Sequence, residues 1–419
     1  VALISPNTAV ALGLASSLDA KALRKANGHY VTVGTSNGSI DVPTWVQPGM
    51  ADDVIAVSLG YGRTACGIVG VGVGANAYTV AAGGASVGYA AAKTVTLTGA
   101  APRKIACTQD HHTLDDGNGE RPVAKWVSAG DVSGNDFSGL SEHFPDAGAD
   151  GKFLKPLSIT QDYEYKGHRW GMVIDMSSCT GCSSCITACQ SENNIHVVGQ
   201  EQVALGREMH WMRLDRYYMG DVTDPSTIVE PMLCQHCENA PCENVCPVAA
   251  TTHSPEGLNE MTYNRCVGTR YCLNNCPYKV RRFNFLNYQK DERSPLDLAF
   301  NPDVTVRMRG VMEKCTFCVQ RLHEAKWHAR DAGRSRVNDG EAVTACQEAC
   351  PAGAIIFGDT NDPNSRVSKA RMGERGFRVL SDLNVRPQVT YLAKVRNVNA
   401  SSAKKGHGAA HATGHGNEH

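Results

Sequence analysis

Fifteen of the seventeen cysteines lie between Cys179 and Cys350, and their spacing limits what this part of the chain can fold into. They form four groups, and each group ends in two cysteines separated by three residues. In three of the groups a proline follows the last cysteine. The groups are Cys179, Cys182, Cys185 and Cys189; Cys234, Cys237, Cys242 and Cys246; Cys266, Cys272 and Cys276; and Cys315, Cys318, Cys346 and Cys350.

This repeated spacing is typical of iron–sulfur ferredoxin motifs. A cubane cluster takes several thiolates from one tight loop, and in two-cluster ferredoxins the cysteine before proline ligates the other cluster. The odd number of cysteines and their loop spacing argue against a disulfide framework. Zinc knuckles, the alternative for any single C-x2-C pair, explain four such groups poorly. We therefore predict four cubane-type clusters.

Thr269 occupies the place where the third group should have its second cysteine. A cube corner without a thiolate tends to lose its iron, and cluster type follows ligand identity. We predict one [3Fe–4S] cluster at this site and three [4Fe–4S] clusters at the others. The alternative is a [4Fe–4S] cluster whose odd iron carries hydroxide or the threonine oxygen.

Five basic residues also crowd the third group. A thiolate-ligated cluster carries negative charge, so nearby cations would raise its reduction potential. A solvated basic face or a docking patch explains the same residues equally well. The residues are Arg265, Arg270, Lys279, Arg281 and Arg282.

The rest of the chain divides by composition. Short β-rich runs with Gly and Pro punctuation occupy 1–107, a polar connector 108–167, the cysteine domain 168–397, and a Gly/Ala/His-rich tail 398–419. The first residues have no leader features, so we expect an upstream part to be missing. A net charge of −1 gives no reason to expect nucleic acid as a partner. No apolar run approaches the ~20 residues of a membrane-spanning helix.

Four stretches of the cysteine domain resemble the four-cluster ferredoxin subunits of the molybdopterin oxidoreductase superfamily. The resemblance covers about half of the chain and implies a double ferredoxin-like fold. In that family the outer cysteine groups pair with each other, as do the inner ones. The stretches are Cys246-Pro-Val-Ala-Ala, Cys272-Leu-Asn-Asn-Cys-Pro-Tyr, Lys314-Cys-Thr-Phe-Cys-Val-Gln-Arg and Cys350-Pro-Ala-Gly-Ala-Ile-Ile-Phe-Gly-Asp.

Carried over residue by residue, the resemblance implies four ligand sets. The fourth is the three-iron site, which in related subunits lies nearest the membrane partner. The chain has no C-x-x-C-H motif, so we expect no c-type haem on it. Set 1 is Cys179, Cys182, Cys185 and Cys350; set 2 is Cys189, Cys315, Cys318 and Cys346; set 3 is Cys234, Cys237, Cys242 and Cys276; set 4 is Cys246, Cys266 and Cys272.

The N-terminal part resembles the C-terminal β-barrel lobe of molybdopterin oxidoreductase catalytic subunits. The matching residues are Gln47 to Arg63 and the later Gly-Val-Gly-Ala-Asn-Ala-Tyr78. The resemblance implies an α+β chain in which this lobe precedes the four-cluster domain. Fusion in this order resembles the iron–sulfur subunit of alternative complex III, a bacterial quinol oxidoreductase that replaces the cytochrome bc complex. In that family the lobe is generally an empty scaffold, so molybdopterin is not expected.

The resemblance implies an electron-transfer subunit of a membrane-bound, hetero-oligomeric quinol:electron-acceptor oxidoreductase. The expected partners are quinol-binding membrane subunits of the polysulfide-reductase type, together with multi-haem and mono-haem cytochrome c subunits. They would hold the chain on the periplasmic face of the bacterial cytoplasmic membrane, and electrons would pass from quinol towards cytochrome c. No residue pattern indicates a bond-making catalytic site. The alternatives are the relay part of a molybdenum-dependent dimethyl-sulfoxide or polysulfide reductase, and a scaffold whose clusters are mainly structural.

Overall fold

The chain forms two compact units in the computed structural model. The first comprises Val1–Cys107 and Tyr218–Thr227, and the second comprises Thr108–Tyr217 and Ile228–His419. The predicted tail and most of the predicted connector lie outside the described residues. The structure describes residues 1–67, 70–82, 88–109, 123–137, 140, 163–219, 221–289 and 295–397.

The first unit is built on a five-stranded mixed sheet. Its strands are β1 (Ala2–Ile4), β2 (Tyr30–Gly34), β3 (Ser39–Val46), β4 (Ile55–Val57) and β5 (Thr94–Leu97). They lie in the order β4-β1-β3-β2-β5. β1 is parallel to β3 and antiparallel to β4, and β2 is antiparallel to both β3 and β5.

Alternation along β3 buries one face of this sheet. Ile40, Val42, Thr44 and Val46 are buried, and each residue between two of them is exposed or half-buried. This is the two-residue period of a strand with one covered face. Two short helices pack near the Val46 end of β3. They are α1 (Pro6–Ala11) and α2 (Ala20–Ala26), which begin at the N-caps Ser5 and Asp19.

The described part of the first unit does not contain the predicted β-barrel. β4 and β5 are the two edges of the sheet and do not pair with each other. β4 has only three residues, and most of β5 is exposed. A barrel requires its edge strands to pair. The alternation of β-rich runs and turns fits an open sheet equally well, so the prediction of a barrel is wrong for these residues.

The remaining strands form one larger sheet and four two-stranded pairs. The larger sheet has the order β14-β7-β16-β15, and the pairs are β6–β17, β8–β9, β10–β11 and β12–β13. Their bounds are β6 (Trp126–Ser128), β7 (Trp170–Asp175), β8 (Arg213–Met219), β9 (Ser226–Met232), β10 (Thr251–His253), β11 (Asn259–Met261), β12 (Arg282–Phe283), β13 (Met312–Glu313), β14 (Ile355–Asp359), β15 (Gly376–Phe377), β16 (Val389–Leu392) and β17 (Lys394–Arg396).

The helices of the second unit are short, and several carry the cysteines. None of the helices within the described residues is both long enough and apolar enough to cross a membrane. The helices are α3 (Ala129–Gly134), α4 (Ser184–Glu192), α5 (Gly199–Ala204), α6 (Pro241–Asn244), α7 (Tyr271–Asn274), α8 (Val319–Asp331), α9 (Ala345–Glu348) and α10 (Arg366–Arg371).

β7 lies at the centre of the second unit. It pairs with β14 on one side and with β16 on the other, and its first five residues are buried. Trp170 on β7 stacks on Phe357 with ring centroids 5.5 Å apart, and Phe357 meets Phe317 edge to face at 5.2 Å. Phe317 belongs to a cysteine loop, so the aromatic core directly supports the site.

Candidate iron–sulfur site

Two of the cysteine loops contain a strained residue just before a cysteine. His236 precedes Cys237 with φ of 44°, and Phe317 precedes Cys318 with φ of 55°. Residues with a Cβ seldom adopt positive φ, because the side chain then crowds the backbone. In these loops the conformation reverses the chain within a C-x2-C pair, and this lets both sulfurs of the pair face the same space.

The loop around Thr269 has the same backbone conformation as the loop around Cys182. In each loop a glycine with positive φ precedes the central residue, Cys182 or Thr269. A residue in the left-handed conformation follows it and is the N-cap of the next helix. The φ values are 73° for Gly181 and 67° for Ser183, against 74° for Gly268 and 65° for Arg270. Thr269 therefore holds the backbone position of a second ligand, and it is exposed.

The last two cysteines of each group lie four residues apart, on or just after a short helix. One turn of α-helix rises 5.4 Å, and the predicted assignment gives the two cysteines of such a pair to neighbouring sets. Cys185 and Cys189 on α4, for example, fall in sets 1 and 2. α4 packs against α9, and α6 packs against α7. Each helix pair thus lies where two sets adjoin, as the ferredoxin spacing predicts.

Set 2 surrounds an apolar cavity. Its four cysteines line this cavity with Met172, Trp211, Leu233 and Phe317. Burial raises the pKa of the Cys189 thiol well above its usual range, and the charges of the other three cysteines add to the effect. Burial also raises the pKa of Cys346 to about 12. Four converging thiolates are therefore stable in this cavity only when a cationic group compensates them.

Set 1 surrounds a second cavity that is open at one corner. Its four cysteines line the cavity with Ile174, Leu214 and Ile355. Burial raises the pKa of Cys185 to about 11, whereas Cys182 is exposed. A hydrogen bond with Ser184 lowers the pKa of Cys182. Set 1 therefore has one ligand position at the protein surface.

The cysteines of sets 3 and 4 are also brought together. Burial raises the pKa of Cys237 well above its usual range, and the nearby charges of Cys234, Cys276 and Cys242 raise it further. Cys272 interacts in the same way with Cys266 and Cys246. All fifteen cysteines thus lie near the partners that the predicted sets give them.

Backbone and side-chain donors point at several of these sulfurs. The backbone amide of Ala250 donates to Cys246 Sγ at 3.2 Å, and that of Ala354 donates to Cys350 Sγ at 3.3 Å. The Nδ2 of Asn193 lies 3.6 Å from Cys189 Sγ. Thiolates accept such hydrogen bonds, and donors to the sulfurs tune a bound cluster. Sequence reasoning missed Asn193, although its place one helical turn after Cys189 was a usable signal.

The sulfur donor sets fit iron–sulfur clusters. All seventeen cysteines lie within the described residues, and none forms a disulfide. Where the chain is described, no group of three His, Cys, Asp or Glu side chains is arranged to hold a single metal ion. Cys66 and Cys107, outside the sets, are partly buried.

The sets follow one another in the order 1, 2, 3, 4. Cys346 of set 2 interacts electrostatically with Cys185 of set 1. Cys315 of set 2 interacts with Cys234 of set 3. Between sets 3 and 4 lies the guanidinium of Arg281, which interacts with cysteines of both sets. The arrangement is a series rather than a cluster around one centre.

Comparisons with known proteins agree with the motifs. Two family models, each described as a 4Fe-4S dicluster domain, match residues 226–292 and 265–354. The iron–sulfur cluster-binding subunit of menaquinone reductase from Nitratidesulfovibrio vulgaris is 43% identical over 230 residues, which are 54% of this chain and 89% of the relative.

Two further relatives are of the same kind. Iron–sulfur subunit 1 of the Hdr-like menaquinol oxidoreductase from Archaeoglobus fulgidus is 36% identical over 242 residues, 53% of this chain and 82% of the relative. A putative dimethyl sulfoxide reductase iron–sulfur subunit from Halobacterium salinarum is 38% identical over 227 residues, 53% of this chain and 78% of the relative.

These matches confirm the prediction of an electron-transfer chain with iron–sulfur clusters and ferredoxin-like dicluster domains. The number and types of the clusters, and the assignment of cysteines to them, remain predictions. The chain therefore belongs to the family of iron–sulfur electron-transfer subunits that includes these menaquinone, menaquinol and dimethyl sulfoxide oxidoreductase subunits.

Proposed function

We propose that the chain is the electron-relay subunit of a membrane-bound quinol:electron-acceptor oxidoreductase of the alternative complex III type. The serial order of the four cysteine sets carries this proposal, since a relay needs its cofactors in close succession. Two relatives support a quinone-linked role, because they are named as subunits of a menaquinone reductase and a menaquinol oxidoreductase.

Sets 1, 2 and 3 would each hold a [4Fe–4S] cluster, and set 4 would hold a [3Fe–4S] cluster. The bound clusters would supply one-electron transfer. The chain's own residues would fix the spacing of the sets and keep water from set 2. They would also donate hydrogen bonds to sulfur, as Ala250 and Asn193 do.

The three-iron assignment of set 4 is supported by the match between the Thr269 and Cys182 loops. The backbone there is shaped for a ligand, and the side chain at that position is a hydroxyl rather than a thiol. Threonine is a poor ligand for an iron corner, so three sulfurs would hold three irons.

The expected partners extend this proposal beyond the chain. Electrons would come from quinol bound in membrane subunits of the polysulfide-reductase type and pass towards multi-haem and mono-haem cytochrome c subunits. The complex would lie on the periplasmic face of the bacterial cytoplasmic membrane. Along the chain, the proposed regions are a molybdopterin-oxidoreductase-like lobe without the cofactor (1–107), a connector (108–167), the four-cluster domain (168–397) and a tail (398–419).

A second candidate is the relay subunit of a molybdenum-dependent reductase. The Halobacterium salinarum relative, named as a dimethyl sulfoxide reductase subunit, favours it. In that case the active site would lie on another chain, and electrons would run from the membrane to molybdenum.

The composition of the native complex separates the two candidates. Subunit mass spectrometry, metal analysis and a visible spectrum would be recorded on the purified complex. Haem c with polysulfide-reductase-type membrane subunits and no molybdenum is the expected result. Stoichiometric molybdenum without haem c would overturn the proposal in favour of the reductase. An EPR spectrum of the oxidised complex tests the three-iron cluster separately.

A further inference from the structure

Arg281 is a buried cation between sets 3 and 4. It is 2% exposed. One guanidinium nitrogen, Nη2, lies within hydrogen-bond distance of three acceptors, between which its two N–H groups are shared: 3.1 Å from Cys242 Sγ, 2.8 Å from Thr251 Oγ1 and 2.9 Å from Asn259 Oδ1. Burial raises the pKa of the Cys272 thiol, and the charge of the guanidinium also acts on this thiol and opposes the rise. Cys242 belongs to set 3 and Cys272 to set 4, so one charge acts on both sets.

Arg281 differs from the other buried arginines near the site in what balances its charge. Arg282 pairs with Glu208 at 2.8 Å, and Arg307 pairs with Glu313 at 2.9 Å. No carboxylate of the described residues lies within ion-pair distance of Arg281. The nearest polar oxygens, on Thr251 and Asn259, are neutral.

A buried guanidinium without an anion costs a large desolvation free energy. The thiolates of sets 3 and 4 are the anions that remain within its reach. A thiolate-ligated cluster carries net negative charge, and each added electron makes that charge more negative. Arg281 is therefore best compensated when both neighbouring sets hold reduced clusters.

We propose that Arg281 sets the reduction potentials of the clusters in sets 3 and 4 together, by placing one unbalanced positive charge between them. These two are called the inner clusters, after the inner cysteine groups of the sequence. A cation beside a cluster stabilises the reduced form and raises its potential. Because the same charge acts on both clusters, it raises both potentials together. This inference rests on the proposed function for the cluster assignments of sets 3 and 4.

The test is an EPR-monitored potentiometric titration of the native complex carrying Arg281→Gln. This change removes the charge and keeps a side-chain amide. We expect the reduction potentials of both inner clusters to fall by at least about 59 mV. This corresponds to a tenfold change in the equilibrium constant of a one-electron reduction. The clusters of sets 1 and 2 should keep their reduction potentials. The comparison is valid only when the iron content of the variant matches that of the wild type.

Two further variants separate charge from structure. Arg281→Lys keeps the charge, so both inner potentials should stay close to the wild type. If Arg281→Gln fails to assemble its clusters, this lysine variant alone decides: a tenfold or larger fall at full iron content would overturn the proposal. Arg265→Gln makes the same chemical change at an exposed arginine next to Cys266 and should move the potentials little.

Two results of Arg281→Gln and one of Arg265→Gln would count against the proposal. Unchanged inner potentials at full iron content would refute the role of the charge. A shift confined to one inner cluster would refute the shared role. A shift of equal size in Arg265→Gln would show that any nearby cation suffices.

Failure of the proposed function would look different. Missing haem c, bound molybdenum or the lack of a three-iron signal in the wild type would change the complex or the cluster types. The paired shift in Arg281→Gln would still be measurable in each of those cases.

Discussion

Sets 2 and 4 use the same kind of ligand in opposite surroundings. All four cysteines of set 2 are buried, at 8% exposure or less, inside a cavity with apolar walls. In set 4 only Cys272 is buried, and the position of the missing ligand belongs to the exposed Thr269. Set 2 lies within the series of sets, whereas set 4 lies at its end. Burial in this site therefore follows position along the series, since set 1 at the other end also has an exposed ligand, Cys182. The two ends are the places where other proteins could exchange electrons.

The largest expected effect comes from removing a ligand of set 2. Cys346→Ala should lose about four irons per chain and destabilise the folded chain by more than about 4 kcal/mol, because buried thiolates are left without their cation. Iron analysis and denaturant unfolding measure the two effects. Cys66→Ala, outside the sets, is the matched control and should change neither.

Cys266→Ala in set 4 tests the contrast directly. It should lose the three-iron cluster but destabilise the chain less than Cys346→Ala does, since water can solvate the remaining thiolates. Equal destabilisation by the two variants would mean that burial does not distinguish the sets.

Thr269→Cys should remove one difference between sets 2 and 4. The new thiolate would complete the corner, so the chain should gain about one iron, and the three-iron EPR signal of the oxidised protein should disappear. Thr269→Ser is the control and should keep that signal. A persistent three-iron signal with unchanged iron content in Thr269→Cys would contradict the assignment of this loop.

Oxidant and chelator should attack the two sets at different rates. With ferricyanide and EDTA, the EPR signal of set 4 should decay several-fold faster than that of set 2, because the apolar cavity walls keep both reagents from set 2. The decay is followed by EPR with time. Equal decay rates for the two sets would show that the reagents reach the cluster of set 2 through motion of the protein, despite the burial of its cysteines.

The smallest effect extends the contrast of buried and exposed sites to two carboxylates. Burial raises the pKa of Glu256, but the nearby His168 ring, the hydrogen bond from Trp170 and the charge of Lys326 outweigh it and lower the pKa to about 2. The resulting stability is present above the ordinary pKa of 4.5 and is lost as the pH falls towards 2.

Glu256→Gln should therefore cost about 1 to 2 kcal/mol at neutral pH, after allowance for solvent screening, and flatten the unfolding profile between these pH values. The exposed Glu341, whose pKa is also about 2 through its hydrogen bond from Arg334, provides the control. Glu341→Gln should change the unfolding free energy far less. A larger loss in the control would contradict the contrast.

The assignment of the cysteines to clusters stays a prediction, whereas the surroundings of the cysteines can be compared with the sequence directly. Spacing and resemblance indicated all fifteen cysteines, and the structure brings the same ones together. The run Tyr30-Val-Thr-Val begins strand β2 as its β-rich composition predicts. The run from Asp53 to Leu59 yields only the strand Ile55–Val57. Local composition predicts a strand, but its length and its partners depend on tertiary contacts, and for the same reason an open sheet could not be told from a barrel.

The five basic residues show the same limit. Arg281 and Arg282 are buried, whereas Arg265, Arg270 and Lys279 are exposed. The sequence left two interpretations open. A local charge at the clusters thus suits the two buried residues, and a solvated face suits the three exposed ones. The five residues have similar chemistry and similar places in the motif, and only tertiary contacts separate them. β10 and β11 surround Arg281, and Glu208 and His210 bind Arg282.

The amide donors at Ala250 and Ala354 have a consequence for how such a protein can change over generations. Each donor comes from the main chain, four residues after a cysteine that precedes a proline. Exchanging the side chain leaves the N–H group in place, and only a proline at that position would remove it. Heritable variation can therefore adjust the clusters through side chains such as Asn193, while these two hydrogen bonds pass unchanged from ancestor to descendant.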